Sequence, residues 1–316
     1  MTVRRISLAL RRWVDSGAAA DAADDQAVRG IDWPRVLPFV VVHLACFGVL
    51  ATGFSATALA VAAALFVIRM FAITAFYHRY FSHRAFKASR AVQFVFALVG
   101  ASAVQRGPLW WAAHHRHHHA NADRPDDRHS PVQLGFLRSH CGWFLARENF
   151  ATRLALVPDL ARYPELRWLD RYDAAVPAVL AALLYGAGAW LERAAPGLGV
   201  SGAQLLVWGF CVSTVLLWHA TFTINSLAHQ FGSRRYATRD DSRNNVWLAL
   251  LTLGEGWHNN HHRYPAAARQ GFYWWEIDIA WYGLRLLAAL GVVRDLRPVP
   301  VEIRDSHRLR RDGAPP

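Results

Sequence analysis

Trp110-Trp111-Ala112-Ala113-His114-His115-Arg116-His117-His118-His119 places five histidines within six residues, and Asp123, Asp126 and Asp127 follow closely. Histidine is the commonest metal ligand, binding as neutral imidazole through one ring nitrogen. On a helix, His115, His118 and His119 stand at i, i+3 and i+4 and share one face. Such a triplet holds one metal ion or contributes to two. Taken alone, the same stretch also fits a histidine-rich surface tract.

Apolar runs surround this stretch and alternate with strongly basic segments. The 316 residues are 53% hydrophobic, while 35 Lys and Arg oppose 23 Asp and Glu for a net charge of +12. That alternation is the pattern of a polytopic membrane protein with a cytoplasmic face. A nucleic-acid binder carries similar charge but has no need of long uncharged runs, so no nucleic-acid partner is expected. Cys46, Cys141 and Cys211 are scattered, which argues against a disulfide scaffold, a zinc knuckle or a fused iron–sulfur domain.

Four runs are long enough to cross a hydrocarbon core of about 30 Å. They are Val36–Phe54, Ala56 to about Tyr77, Ala174–Leu191 and Ala203 to about Ile224. His43 lies in the first and reads as a packed or interface histidine. Arg69 interrupts the second; an intramembrane arginine is a functional flag, although near a helix end it also snorkels to the headgroups. Ala91–Gln105 is short for a span and fits a helix dipping into the interface or packed under the protein. Val246–Leu253 is shorter still, and Glu276–Leu290 fits an amphipathic surface helix.

The expected fold is therefore an all-α integral membrane protein, with four transmembrane helices and a helical cap holding a His-rich dimetal site. Residues 1–35 read as an N-terminal cytosolic segment, partly flexible around Asp15–Asp25, with a basic amphipathic stretch at Arg4–Arg12 and no cleaved signal. Residues 36–297 form the membrane domain, and 298–316 an exposed tail. Four spans put both termini and every histidine cluster on one side. That side holds nearly all the arginines and is expected to be cytoplasmic.

Three further clusters share that side: His78-Arg79-Tyr80-Phe81-Ser82-His83, Asn225-Ser226-Leu227-Ala228-His229 and Gly254-Glu255-Gly256-Trp257-His258-Asn259-Asn260-His261-His262. The HxxHH pattern occurs twice, at His115/His118/His119 and His258/His261/His262. Nine histidines (His78, His83, His115, His118, His119, His229, His258, His261, His262) exceed what one metal needs and imply two. Ligand type does not choose among iron, copper, nickel and zinc. His78 and His83 stand at i, i+5 and diverge by about 140° on a regular helix. A site where four helices leave a membrane suits a long apolar substrate.

Together these motifs resemble the histidine boxes of membrane fatty acyl-CoA desaturases of the stearoyl-CoA (Δ9) type, in order from about residue 36 to 297. The resemblance implies a cytosolic di-iron site held by the nine histidines, with Asn225 contacting one metal through water. It implies insertion of a cis double bond into a saturated acyl chain, using O2 and two electrons. Fatty acyl-CoA is the expected substrate, membrane lipid a partner, and the electron donor a separate ferredoxin, rubredoxin or cytochrome b5 type protein with its reductase. By motif position Gln105, Trp111 and Thr221 line a bent acyl tunnel, with Phe222 where the family often has Trp. His114, Asp126, His129 and Glu255 are candidates to hydrogen-bond the ligand imidazoles. His117 is expected to be solvated. Arg116, Arg138 and Arg147 are candidates to meet the CoA phosphates, or else they only satisfy the positive-inside bias. The alternatives are a related histidine-box hydroxylase or ketolase, an acyl-phospholipid desaturase, and a non-catalytic metal carrier or sensor.

Overall fold

The computed structural model describes residues 11, 13–19 and 30–309. The expected Arg4–Arg12 stretch, apart from Arg11, lies outside the described residues. Among the described residues, four helices are long and apolar enough to cross a membrane: α1 (Arg35–Thr52), α2 (Ala56–Ser82), α6 (Ala175–Ala194) and α7 (Gly202–His229). Their starts and stops are local chemistry. Gly53 leaves α1 at φ 70°, Ser55 caps α2 by accepting from the Ala58 N–H, and Ser201 caps α7 by accepting from the Gln204 N–H. The short helix α3 (Arg90–Ala101) has 12 residues, reaching about 18 Å, too little to span.

The spans form an inner and an outer pair. In the most apolar windows of α2 and α7, 44% and 50% of residues are buried, against 6% and 11% in α1 and α6. Arg69 belongs to the inner seam and does not snorkel. It is 1% exposed, and its guanidinium donates to Thr214 Oγ1 and Ser213 Oγ at 2.7 Å each and to the Ser102 carbonyl. Acceptors on the facing helix satisfy it where lipid offers none.

Beyond the spans the chain builds a cap from α4 (Pro108–Asn121), α5 (Pro164–Arg171), α8 (Val246–Leu251), α9 (His258–Arg263) and α10 (Ile279–Ala289). A two-residue antiparallel ribbon, β1 (Lys87–Ala88) with β2 (Val293–Arg294), pairs Lys87 with Arg294 and Ala88 with Val293. The tail is therefore pinned where it begins. It stays attached further on, since the Tyr236 hydroxyl donates to the Arg304 carbonyl at 2.7 Å. Asp15, read as part of a flexible segment, is buried and pairs with Arg171 at 2.8 Å.

Candidate metal centre

Two helical details position the first box and the stretch Trp110–His119. The last eleven residues of α2, Ala72–Ser82, are π-helical, and the His83 N–H bonds the His78 carbonyl, an i→i+5 link, at 3.3 Å. A wider turn brings residues five apart back over one another. His78 and His83 consequently face one point, with ring centroids 4.9 Å apart. The divergence expected on a regular helix does not occur.

At α4, Pro108 occupies the first turn, and the buried Asp170 of α5 accepts from the Trp110 N–H at 2.7 Å and from Thr152. Gly107 makes this approach possible, because a Cβ there would stand 2.3 Å from the Asp170 Cα. Burial lifts the Asp170 carboxyl to about 6.

All nine histidines converge, in two groups whose candidate ligand nitrogens lie within 4.8 Å of one another. The first group is His78, His83, His115, His119 and His261; the second is His118, His229, His258 and His262. Nε2 atoms face each other at 2.9 Å (His78–His261), 2.8 Å (His83–His115), 2.9 Å (His119–His261) and 3.0 Å (His229–His258). Ligands about 2.1 Å from one ion and about 90–110° apart have nitrogens about 3.0–3.4 Å from each other, so both donor sets fit a metal ion.

Carboxylates hold the rings from behind. Asp127 accepts from His118 Nδ1 at 2.9 Å, Asp123 from His229 Nδ1 at 2.8 Å, Asp240 from His262 Nδ1 at 2.9 Å, and Glu255 from His78 Nδ1. Carboxylates only accept, so each Nδ1 carries the proton and each Nε2 keeps its lone pair for the centre. His262 Nε2 is buried with no hydrogen-bond partner among the described residues, as a nitrogen awaiting a metal is.

Burial and neighbouring imidazoles hold His83, His115, His119, His258 and His261 well below the ordinary histidine value. Burial takes His262 down to about 4. At His118 burial acts downward, but Asp127, Asp123 and Asp240 outweigh it and the net shift is upward. Burial opposes, and the His229 contact with other hydrogen bonds exceeds, so Asp123 sits at about 2.

Beside the centre lies a cavity of about 260 Å³ lined by Gln105, Trp111, Thr221, Phe222, His114 and Asn225, among others. A smaller one of about 50 Å³ lies against His78, His118 and His258. Trp111, His115, Thr221 and Asn225 line both. Gln105 donates to Thr221 Oγ1 at 2.8 Å and accepts from Trp111 Nε1 at 3.4 Å. Val104 and Arg106 hold Gln105 between them at φ 58° and 68°, a strained backbone at the cavity wall.

Several expected roles change. Asp126 is exposed and touches no ligand ring; its carbonyl accepts from the half-buried His117. Its expected work falls to Asp123, Asp127 and Asp240. His129 stacks on His118 at 4.3 Å between centroids and does not hydrogen-bond it. His114 is wedged between Trp110 and Trp143, 4.5 and 5.4 Å away, in the cavity wall and away from the ligands. Arg116 is committed to Asp159 at 2.7 Å and to the carbonyls of Phe81, Ser82 and Leu156. It clamps α4 to the end of α2 and is not free for a phosphate. Arg138 pairs with Glu148 at 2.9 Å, and the Arg147 N–H meets the Gly30 carbonyl.

The fold and the site define an integral membrane protein with a paired imidazole centre opening on an apolar cavity. The fatty acid desaturase family model matches residues 52–300, and the chain belongs to that family. It is 38% identical over 220 residues to the sn-2 palmitoyl-lipid 9-desaturase of Nostoc sp. (strain 36), covering 68% of this chain and 73% of that protein. It is 34% identical over 270 residues to the sn-1 stearoyl-lipid 9-desaturase of Anabaena variabilis, covering 84% and 94%. The icosanoyl-CoA 5-desaturase of Limnanthes douglasii is 38% identical over 221 residues, 69% of this chain but only 58% of that protein.

Proposed function

We propose that this chain inserts a cis double bond at the Δ9 position of a saturated fatty acyl chain. The observation that carries this reading is the partition of nine histidines into groups of five and four beside an apolar cavity. The reaction is –CH2–CH2– + O2 + 2 electrons + 2 H+ → –CH=CH– + 2 H2O, with a separate one-electron carrier as the reductant. Two iron ions, one in each histidine group, supply the O2-activating redox chemistry when bound. Asn225, on the wall shared by both cavities, would help hold one of the irons through a water. Asp123, Asp127, Asp240 and Glu255 keep the Nδ1 protons in place, so the ligand nitrogens stay unprotonated and aimed.

The Gln105–Thr221–Trp111 contact bends the chain, which presents one methylene pair to the centre and favours the cis product. The surrounding aromatic wall keeps water off the reacting carbons. Relatives named as 9-desaturases support the position. The active site and both termini lie on the cytoplasmic side, where the arginines are. Relatives act on acyl chains carried by lipid or by CoA, and the acyl chain is what the cavity reads.

Expression in a host lacking its own desaturase, followed by gas chromatography–mass spectrometry of the fatty acids, tests the reading. Palmitoleate or oleate should appear with the active chain and be absent with His118→Ala. A hydroxylated or keto product, or no new product with both metals bound, would overturn it.

A further inference from the structure

One polar cluster lies outside the metal centre and plays no part in it. His43 on α1, His219 on α7 and His140 in the π-helical turn Arg138–Gly142 form a single hydrogen-bonded chain. Its direction is set from the His43 end. His43 Nδ1 can only donate to the Phe39 carbonyl, at 2.8 Å, so its Nε2 accepts from His219 Nε2 at 3.1 Å. His219 Nδ1 then accepts from His140 Nε2 at 3.0 Å, and His140 Nδ1 is left to face the Ser226 hydroxyl, also at 3.0 Å, whose single proton is shared with the Phe222 carbonyl 3.0 Å away. Each link sets the tautomer of the next, so the strap holds or fails as a unit. Ionisable groups on membrane-spanning helices are expensive, and two of them joined to a third outside the spans ask for a reason.

Their position supplies it. Four aromatic rings, Phe39, Phe144, Trp218 and Phe222, line the 260 Å³ cavity on this side. Phe39 stacks on Trp218 at 5.0 Å and meets Phe144 at 5.7 Å, and Phe144 meets Phe222 at 4.9 Å. The histidines stand one layer further out, against the backs of these rings. His219 is exposed on the outer face, as are Leu44 and Leu216. Along the α1–α7 seam, apolar rings backed by this polar strap thus lie between the cavity and the exposed outer face.

The same seam is fastened at its opposite end. There Gln204 Nε2 donates to the Thr52 carbonyl at 2.8 Å and Trp208 Nε1 to the Gly53 carbonyl at 2.9 Å. Ten residues of α1, about 15 Å, separate this end from His43. Between them Gly48 lies so close to Val207 that a Cβ would stand 2.9 Å from its Cγ2. The seam is hydrogen-bonded at both ends and closely packed between them.

We propose that the α1–α7 seam is a lateral doorway through which the acyl chain of a membrane lipid enters the cavity, and that His43, His219 and His140 are its latch. This rests on the desaturase reading and specifies the carrier as a lipid already in the bilayer. The pairing of the arginines agrees. Arg106, in the cavity lining, already carries Asp173, and Arg138 and Arg116, outside that lining, are paired with Glu148 and Asp159, which leaves these three poorly placed to hold the phosphates of CoA.

The test fixes the seam shut. Cys46, Cys141 and Cys211 are replaced by Ala, and His43→Cys and His219→Cys are joined by a reducible bifunctional methanethiosulfonate matched to their spacing. The iron-loaded protein sits in phosphatidylcholine vesicles whose lipid carries a diazirine in its acyl chain. Photolabel on the peptides of Phe39 and Trp218 is read by mass spectrometry, with turnover of lipid-borne and CoA-borne acyl chains measured alongside. Bridging should lower cavity labelling and lipid turnover by roughly tenfold or more, and reduction of the bridge should restore both. Unchanged labelling in the bridged protein would overturn the doorway while leaving the desaturase reading intact. Labelling does not depend on turnover, so a failed desaturase assay still leaves the doorway decided. If the double-cysteine protein does not fold, His219→Leu against His219→Gln decides instead. Loss of the latch should speed the onset of labelling several-fold with Leu and less with Gln; equal rates in both and in the native chain would refute it.

Discussion

The two histidine groups lie side by side but are held in different ways. The group of four has a carboxylate behind three of its rings: Asp127 behind His118, Asp123 behind His229 and Asp240 behind His262. The group of five has one, Glu255 behind His78, and that carboxylate also lies 3.5 Å from the buried Arg79. A carboxylate behind an imidazole fixes its tautomer and raises its basicity. The group of four is therefore organised by charge. The group of five depends on number and burial, its rings packed so that most are held neutral. The two groups would thus present different donor strength to the metals they hold.

The sharpest way to probe this asymmetry is to remove one ligand from each group. His118→Ala and His261→Ala should each lower desaturation by at least about a thousandfold while leaving membrane insertion intact. Iron analysis should show one ion lost and one retained in each variant. Loss of both ions together would mean that the groups do not hold metal independently.

Arg79 tests the support of the group of five. It donates to Asp278 at 2.9 and 3.0 Å and to the Ala268 carbonyl, fully inside the protein. Arg79→Met leaves Asp278 buried without its partner, which should cost about 3–5 kcal/mol in thermal or denaturant unfolding. Restoration by Asp278→Asn in the same chain would assign the loss to the orphaned charge.

A smaller effect is expected behind the group of four. Asp240→Asn and Asp127→Asn should each weaken iron binding there by roughly 10–100-fold, read by competition with a chelator. Glu255→Gln should cost less at the group of five, because four other imidazoles remain. Equal losses on the two sides would erase the distinction.

Asp170 serves both groups, since α4 sends His115 and His119 to one and His118 to the other. Its carboxyl is raised from its unfolded value of 3.8 to about 6. A raised folded value means that its stabilising contribution is complete below the unfolded value and is lost as pH rises through about 6, on the order of 2–3 kcal/mol. Asp170→Asn should therefore flatten the stability profile between about pH 4 and 6. It should also leave the ratio of iron in the two groups unchanged.

The four spans were legible because hydropathy and length are properties of the chain itself. The nine histidines were legible because their spacing repeats. What spacing could not reveal was who stands behind them. Asp127 was visible in the acidic run after the first HxxHH, but nothing local distinguished it from the exposed Asp126. Asp240 lies in a loop with no periodic relation to His262, the ring it holds. Arg69 looked like a residue reaching for headgroups because its acceptors, Ser213 and Thr214, are about 145 positions away. His43 was noticed and read as a packing residue; its partner His219 became apparent only when α1 and α7 lay side by side.

By itself, then, the sequence determined a four-span helical protein with its histidine boxes gathered on one side. Only the tertiary structure decided how those boxes divide. In each HxxHH motif the i and i+4 residues go to one group and the i+3 residue crosses to the other. His115 and His119 join the group of five while His118 leaves it, and His258 and His262 join the group of four while His261 leaves it. The reason is angular: on a helix i+4 lies about 40° from i on one side and i+3 about 60° on the other. A single helix can therefore feed two ions, but which ion each ring meets depends on where the second helix is placed.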